Sequence, residues 1–172
     1  RKASLPAGVR ESTRAEGSGQ TMIEAILIIN NYGQARLARF YNKPPFTEQK
    51  KIIQECFQLL SKRSDRVCNF LEGSSSWGKH IKLIYRHYAT LYFVFAVDAS
   101  ESELGVLDLI QVFVEALDKC FENVCELDLI FYADKVNYIL DEIVMGGMVL
   151  ETSLKQILQA VNGNLQAKKA TR

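Results

Sequence analysis

The run Ile23-Glu24-Ala25-Ile26-Leu27-Ile28-Ile29 constrains the fold more than any other stretch, because it is apolar almost without interruption and rich in β-branched residues. A strand with water on one face alternates polar and apolar residues, so one that does not alternate needs cover on both faces. The run therefore belongs inside a sheet with further layers above and below it. Asn30-Asn31-Tyr32-Gly33 follows with residues that tolerate positive φ, and Ala35 to Tyr41 returns as a more polar strand, which predicts an opening hairpin.

Lys43-Pro44-Pro45 then breaks the chain, Thr47 is a candidate cap, and Ile52, Ile53, Cys56, Phe57 and Leu60 recur at helical spacing as far as Ser61. Three more strands are predicted over Val67 to Glu72, Ile81 to Arg86 and Leu91 to Val97, in a meander. The loop Gly73-Ser74-Ser75-Ser76-Trp77-Gly78 holds the sole tryptophan, which is expected to fold back on the domain; exposed, it would be a binding candidate. Ser100-x-x-Glu103 matches a capping box before the longest helix, which runs to about Glu122. Its polar residues form a narrow stripe on an apolar cylinder, and one sheet cannot cover so wide a face, so other helices, a ligand or another protein must pack on it. Two shorter amphipathic segments end at Gly146-Gly147 and Gly163, each pair or residue read as a helix stop.

The predicted order is ββ-α-βββ-α-α-α: an α+β fold with one antiparallel sheet flanked by helices. The 172 residues, 48% of them apolar, suit a single domain, with no apolar run long enough to span a bilayer. Residues 1–21 hold four bases, two acids and few large apolar side chains; they are expected to be a disordered extension, with Met22 opening the globular part. The globular domain is placed at 22–162, followed by a flexible basic tail at 163–172.

Bases number 21 against 20 acids, so no global positive field exists to hold a nucleic-acid backbone or an acidic lipid surface. Cys56, Cys68, Cys120 and Cys125 form no C-x-x-C and have no histidine pair beside them, so a metal site is not expected and the thiols read as small packed side chains. His80 reads as a loop charge and His87 as a turn histidine. Glu126 and Asp128 could form an acid–base pair, but their alternation with Leu127 and Leu129 equally suits an exposed strand face. No catalytic constellation emerges, no cofactor is implied, and the chain is not expected to be an enzyme.

Several long motifs do carry a resemblance. Met22-Ile-Glu-Ala-Ile-Leu-Ile-Ile-Asn-Asn-Tyr-Gly-Gln-Ala-Arg-Leu-Ala-Arg-Phe-Tyr41, Lys82-Leu-Ile-Tyr-Arg-His-Tyr-Ala-Thr-Leu-Tyr-Phe93, Phe121-Glu-Asn-Val-Cys-Glu-Leu-Asp-Leu129 and Leu140-Asp-Glu142 with Gly146-Gly147 resemble the sigma small subunits of the clathrin-adaptor family, over about Met22 to Val161. The longer segment between Phe70-Leu-Glu-Gly73 and Lys82 is most similar to the third adaptor type. This resemblance implies a longin-like domain with a five-stranded antiparallel sheet. It also implies a heterotetramer in which the chain packs directly on a large subunit of the delta type, alongside beta and medium (mu) subunits.

The implied role is to stabilise the adaptor core and help recognise acidic dileucine signals in the cytoplasmic tails of membrane cargo moving from Golgi or endosome to lysosome or vacuole. The chain would be cytoplasmic and reach Golgi, endosomal and vesicle membranes through the complex. Carried over residue by residue, the leucine pocket falls on Leu91, Val114, Val124 and Leu129 with Asn123 beside it, and Arg36 would face the signal's acidic residue. The alternative is another longin-type module, a coat or GTPase-regulator scaffold with no cargo role. Taken without the resemblance, the four apolar positions read as core and Arg36 as a solvated strand charge.

Overall fold

The computed structural model describes residues 22–64, 69–73 and 76–170. The expectations for residues 1–21, and for Val67 and Cys68 at the start of the third predicted strand, lie outside them. The opening hairpin is strands β1 (Ile23–Asn30) and β2 (Ala35–Phe40), and helix α1 follows at Phe46–Ser61. The meander is β3 (Phe70–Glu72), β4 (Ile81–Tyr88) and β5 (Leu91–Asp98). Helices α2 (Glu103–Phe121), α3 (Glu126–Phe131) and α4 (Ala133–Ile143) come next, then a short hairpin, β6 (Val144–Met145) and β7 (Met148–Val149), and last helix α5 (Leu154–Ala170).

The main sheet has five antiparallel strands in the order β2-β1-β5-β4-β3, so β1 joins the meander by pairing with β5. Alternate residues of β1 feed two cores. Ala25, Leu27 and Ile29 pack with Ile52, Cys56 and Leu60 of α1, while Ile26 and Ile28 pack beneath α2, α4 and α5. That double cover is why the run lacks alternation. Trp77 is 8% exposed and stacks on Phe40 with ring centroids 6.2 Å apart, so it does fold back. Deep in the α1 layer, burial pushes the Cys56 thiol up to about 12, which leaves it protonated and unreactive at neutral pH.

The wide face of α2 finds its cover within the chain. Val106, Leu109, Ile110, Phe113 and Leu117 are buried against the sheet and against α4 and α5. Apart from Leu104 in the first turn of α2, the exposed large apolar residues lie elsewhere, notably Leu127, Ile130, Phe131 and Tyr132 on and just after α3.

Several local expectations are corrected. Helix α1 starts one residue before Thr47, on Pro45, whose carbonyl accepts from the Glu48 and Gln49 amides, so the Thr47 hydroxyl caps nothing. Helix α2 is capped by Ser102, whose Oγ accepts from the Gly105 amide at 3.3 Å; the Ser100 hydroxyl is engaged by Asp98 at 2.6 Å. Residues 126–131 are helix rather than strand, because the Asp128 carboxylate turns back to accept from the Cys125 amide at 2.9 Å and closes a first turn. Helix α5 continues through Gly163 to Ala170, so a single glycine does not stop it.

Gly146-Gly147 is a hairpin turn between β6 and β7, with φ of 59° and 83°, rather than a helix stop. The Gly147 carbonyl accepts from the Ile23 amide at 2.8 Å, and a Cβ on Gly147 would lie 2.5 Å from the Ile23 carbonyl oxygen. Gly146 has open space around it. Gly147→Ala should therefore lower stability by about 2–3 kcal/mol and Gly146→Ala by only about 1 kcal/mol, as read from denaturant midpoints. Equal effects would mean that the approach to Ile23 is not limiting.

Candidate functional site: one end of the sheet

The residues singled out from sequence converge on the end of the sheet where β1 stops and β5 starts. Across that end Ala35 pairs with Ile29, Asn30 with Leu91, and Leu91 with Tyr88. A bulge at Ile28/Ile29 leaves Arg36 without a partner residue in β1, since Leu37 pairs with Ile28 and Ala35 with Ile29. Its side chain is thereby free to reach α3. Arg36 Nε donates to Glu126 Oε1 at 2.8 Å and Nη2 donates to Gln34 Oε1 at 2.8 Å. Asn30, 2% exposed, donates to the same two oxygens at 2.7 and 3.0 Å.

Hydrogen bonds from Asn30 first, and then from Arg36, hold the Glu126 carboxyl below the usual carboxylate range. The unfolded chain protonates Glu126 in the ordinary range and the folded chain at lower pH. Its stabilising contribution is therefore present above the ordinary carboxylate range and is lost as pH falls through the lowered folded value. At neutral pH the Glu126 carboxyl is ionised.

The four apolar candidates come from separate elements, Leu91 from β5, Val114 from α2, Val124 from the turn after α2, and Leu129 from α3, and all belong to one buried cluster. Asp118 sets that turn. Its carbonyl accepts from the amides of Glu122 and Asn123, residues at φ of 54° and 78°. Its carboxylate accepts from the Val124 amide at 3.0 Å and from the Tyr88 hydroxyl at 2.8 Å, the latter raising the Tyr88 pKa. One side chain thus ties the Val124 wall to the strand that pairs with Leu91. The walls are closed, with exposures of 1–5%, and a leucine side chain could enter only if they part. Asn123 is exposed beside Val124, in a shallow depression with Glu115, Lys119 and Glu122. Val114 also forms part of a cavity of about 370 Å³ whose lining includes Arg86, His87, Tyr88 and Gln111.

The structure separates Glu126 from Asp128 in role: one holds Arg36 and Asn30, and the other caps α3. His87 is an exposed ring stacked on Tyr92 at 4.2 Å. Among the described residues no cluster of His, Cys, Asp or Glu is placed to hold a metal, and no helix is long and apolar enough to cross a membrane. The sequence reading missed the Glu126 partnership with Arg36 and the Arg86 cavity. The Cys125-x-x-Asp128 spacing was the available signal for the former, since it marks a helix start that turns Glu126 toward β2.

Residues 22–168 match the family described as the clathrin adaptor complex small chain. The chain belongs to that family. It is 63% identical over 150 residues to human AP-3 complex subunit sigma-2, covering 87% of this chain and 78% of that one. It is 64% identical over 135 residues to the Dictyostelium discoideum AP-3 sigma subunit, covering 77% and 79%, and 52% identical over 140 residues to that of Arabidopsis thaliana, covering 81% and 84%. A chain of a homology model of the full-length AP-3 complex in a stretched open conformation superposes with a TM-score of 0.69 at 42% identity, covering 87% of this chain and 97% of that one. The adaptor small chain is thus of the sigma-3 type, with the α+β longin-like fold, and is a trafficking-complex subunit rather than an enzyme.

Proposed function

We infer that this adaptor small chain helps read acidic dileucine signals in membrane cargo tails within a heterotetramer, on a route from Golgi or endosome to lysosome or vacuole. The observation that carries the reading is the convergence of Arg36 with the Leu91, Val114, Val124 and Leu129 walls at one end of the sheet, through α3, in a chain of the sigma-3 family. Two small apolar pockets would desolvate the leucines, at roughly 1.5–3 kcal/mol each before ordering costs. The guanidinium adds a preference for an acid on the preceding residues. Glu126 and Gln34 engage Nε and Nη2, and Nη1 is left for a carboxylate from outside.

The delta-type large subunit is the direct partner, with beta and mu completing the complex, and the exposed Leu127, Ile130, Phe131 and Tyr132 supply apolar surface for such a contact. The chain then works from the cytoplasm, at Golgi, endosomal and vesicle membranes, through the complex. Arg36→Gln in the assembled heterotetramer should weaken an acidic dileucine peptide by about 5–20-fold, and leave a peptide with alanine in place of the acid unchanged, as measured by calorimetry. If Arg36→Gln weakens both peptides equally, Arg36 supports the fold and does not read charge. If the wild-type complex binds neither peptide, the scaffold reading without a cargo role replaces this one.

A further inference from the structure

Arg86 Nε is buried and has no hydrogen-bond partner, and no carboxylate among the described residues pairs with its guanidinium. An arginine that lacks both water and a counter-charge at a buried donor is a poor resting arrangement unless something else supplies the acceptor. The side chain opens on the cavity of about 370 Å³ already described, whose lining also includes Arg63, His87, Gln111 and Val114. The two acids of α2 nearby are engaged otherwise, Glu115 by Gln111 at 2.8 Å and Asp118 by Tyr88 and the Val124 amide. The lining is thus rich in cationic and hydrogen-bonding groups, and its one α2 aliphatic residue, Val114, is shared with the leucine pocket.

The strand order gives this cavity a direction relative to Arg36. Arg36 is on β2, Leu91 on β5 and Arg86 on β4, so the pocket lies between the two arginines. Arg86 pairs with Phe93, which places it on the same face of the sheet as Phe93 and Leu91. At about 4.8 Å per strand, β2 to β5 spans about 10 Å, within reach of an extended peptide whose acid lies four residues before its first leucine. One more strand spacing brings the same peptide to β4, one to three residues past the leucine pair.

We propose that Arg86 and its cavity bind an anionic group, a carboxylate or a phosphate, carried by the cargo peptide on the C-terminal side of its leucine pair. The inference rests on the dileucine reading above and adds a second charge-reading position to it. Arg36 reads the preceding acid in competition with Glu126; Arg86 reads the following one and has no carboxylate paired with it among the described residues.

The test uses the assembled heterotetramer and three peptides that share one acidic dileucine motif and differ in the three following residues: all alanine, one aspartate, or one phosphoserine. Wild type should bind the aspartate and phosphoserine peptides about 3–10-fold more tightly than the alanine peptide, with the difference shrinking at high salt. Arg86→Met, which keeps the apolar stem, should bind all three like the alanine peptide, and Arg86→Lys should restore part of the preference. Equal binding of all three peptides by wild type, or a preference that survives in Arg86→Met, overturns the proposal while leaving the dileucine reading intact. Failure of wild type to bind any of them overturns both. Loss of complex assembly in both Arg86→Met and Arg86→Lys also overturns it, because the guanidinium would then be satisfied by another subunit.

Discussion

Val114→Asp should reduce dileucine-peptide binding by the assembled complex at least about 100-fold, whether or not the peptide carries its upstream acid. The valine is 3% exposed and stands between the Leu91, Val124 and Leu129 cluster and the Arg86 cavity. A carboxylate at that position stays hydrated or becomes neutralised, and either outcome excludes a leucine methyl from the same space. The basic lining on the cavity side favours the ionised, hydrated form, which supports folding of the variant and makes its effect on peptide binding harsher. Recovery of the intact complex by size exclusion must accompany the binding measurement, since loss of assembly would imitate loss of the pocket. An assembled Val114→Asp complex that binds like wild type would remove the leucine pocket from this part of the chain.

The largest loss of stability is expected from Phe113→Ala, at about 3–5 kcal/mol. Phe113 is fully buried, meets Phe93 edge to face at 6.0 Å and Phe95 at 6.5 Å, and joins α2 to the sheet at the centre of the larger core. Its removal deletes aromatic contacts on two strands at once, and the sheet beneath cannot close the gap without shifting β5, which is paired on both sides. A drop of more than about 6 °C in Tm is the expected readout for a chain of this size. A drop under 1 °C would mean that α2 and the sheet pack independently of this ring.

Much of the fold is legible in the sequence because its signals are periodic. Ile23 to Ile29 announces a doubly covered strand, the Ala35 return gives the hairpin, and the stripe on α2 gives its length to within a residue or two. What failed was local chemistry decided by a competitor. Ser100 and Thr47 both look like caps, but Asp98 takes the first hydroxyl and Pro45 starts the helix ahead of the second. Gly146-Gly147 reads as a stop when the chain is scanned in one dimension; the Ile23 amide that needs its carbonyl is more than a hundred residues away. Helix α3 is too short to show a period, so its Glu126 looked like a strand acid.

The candidate site divides along the same line. The apolar walls are visible as core positions, and the family resemblance supplies the pocket reading. The Arg36–Glu126 and Asn30–Glu126 contacts join residues 90 and 96 positions apart, and the Cys125-x-x-Asp128 spacing marks only where the helix starts, not what Glu126 will meet. The Arg86 cavity is less legible still, because it depends on β3 pairing only with Lys82 to Ile84, so that among the described residues no outer strand lies beside the end of β4.

If Leu91, Val114, Val124 and Leu129 form the leucine pocket proposed above, their closed packing sets the tempo of any binding event there. A ligand can enter only during the fraction of time the side chains stand apart, so the apparent dissociation constant exceeds the intrinsic one by the inverse of that fraction. Association is then gated rather than diffusion-limited, and the rate levels off at the opening rate as ligand concentration rises. Whatever tilts the Asp118-anchored turn by even a small amount changes occupancy without altering a single group that touches the ligand.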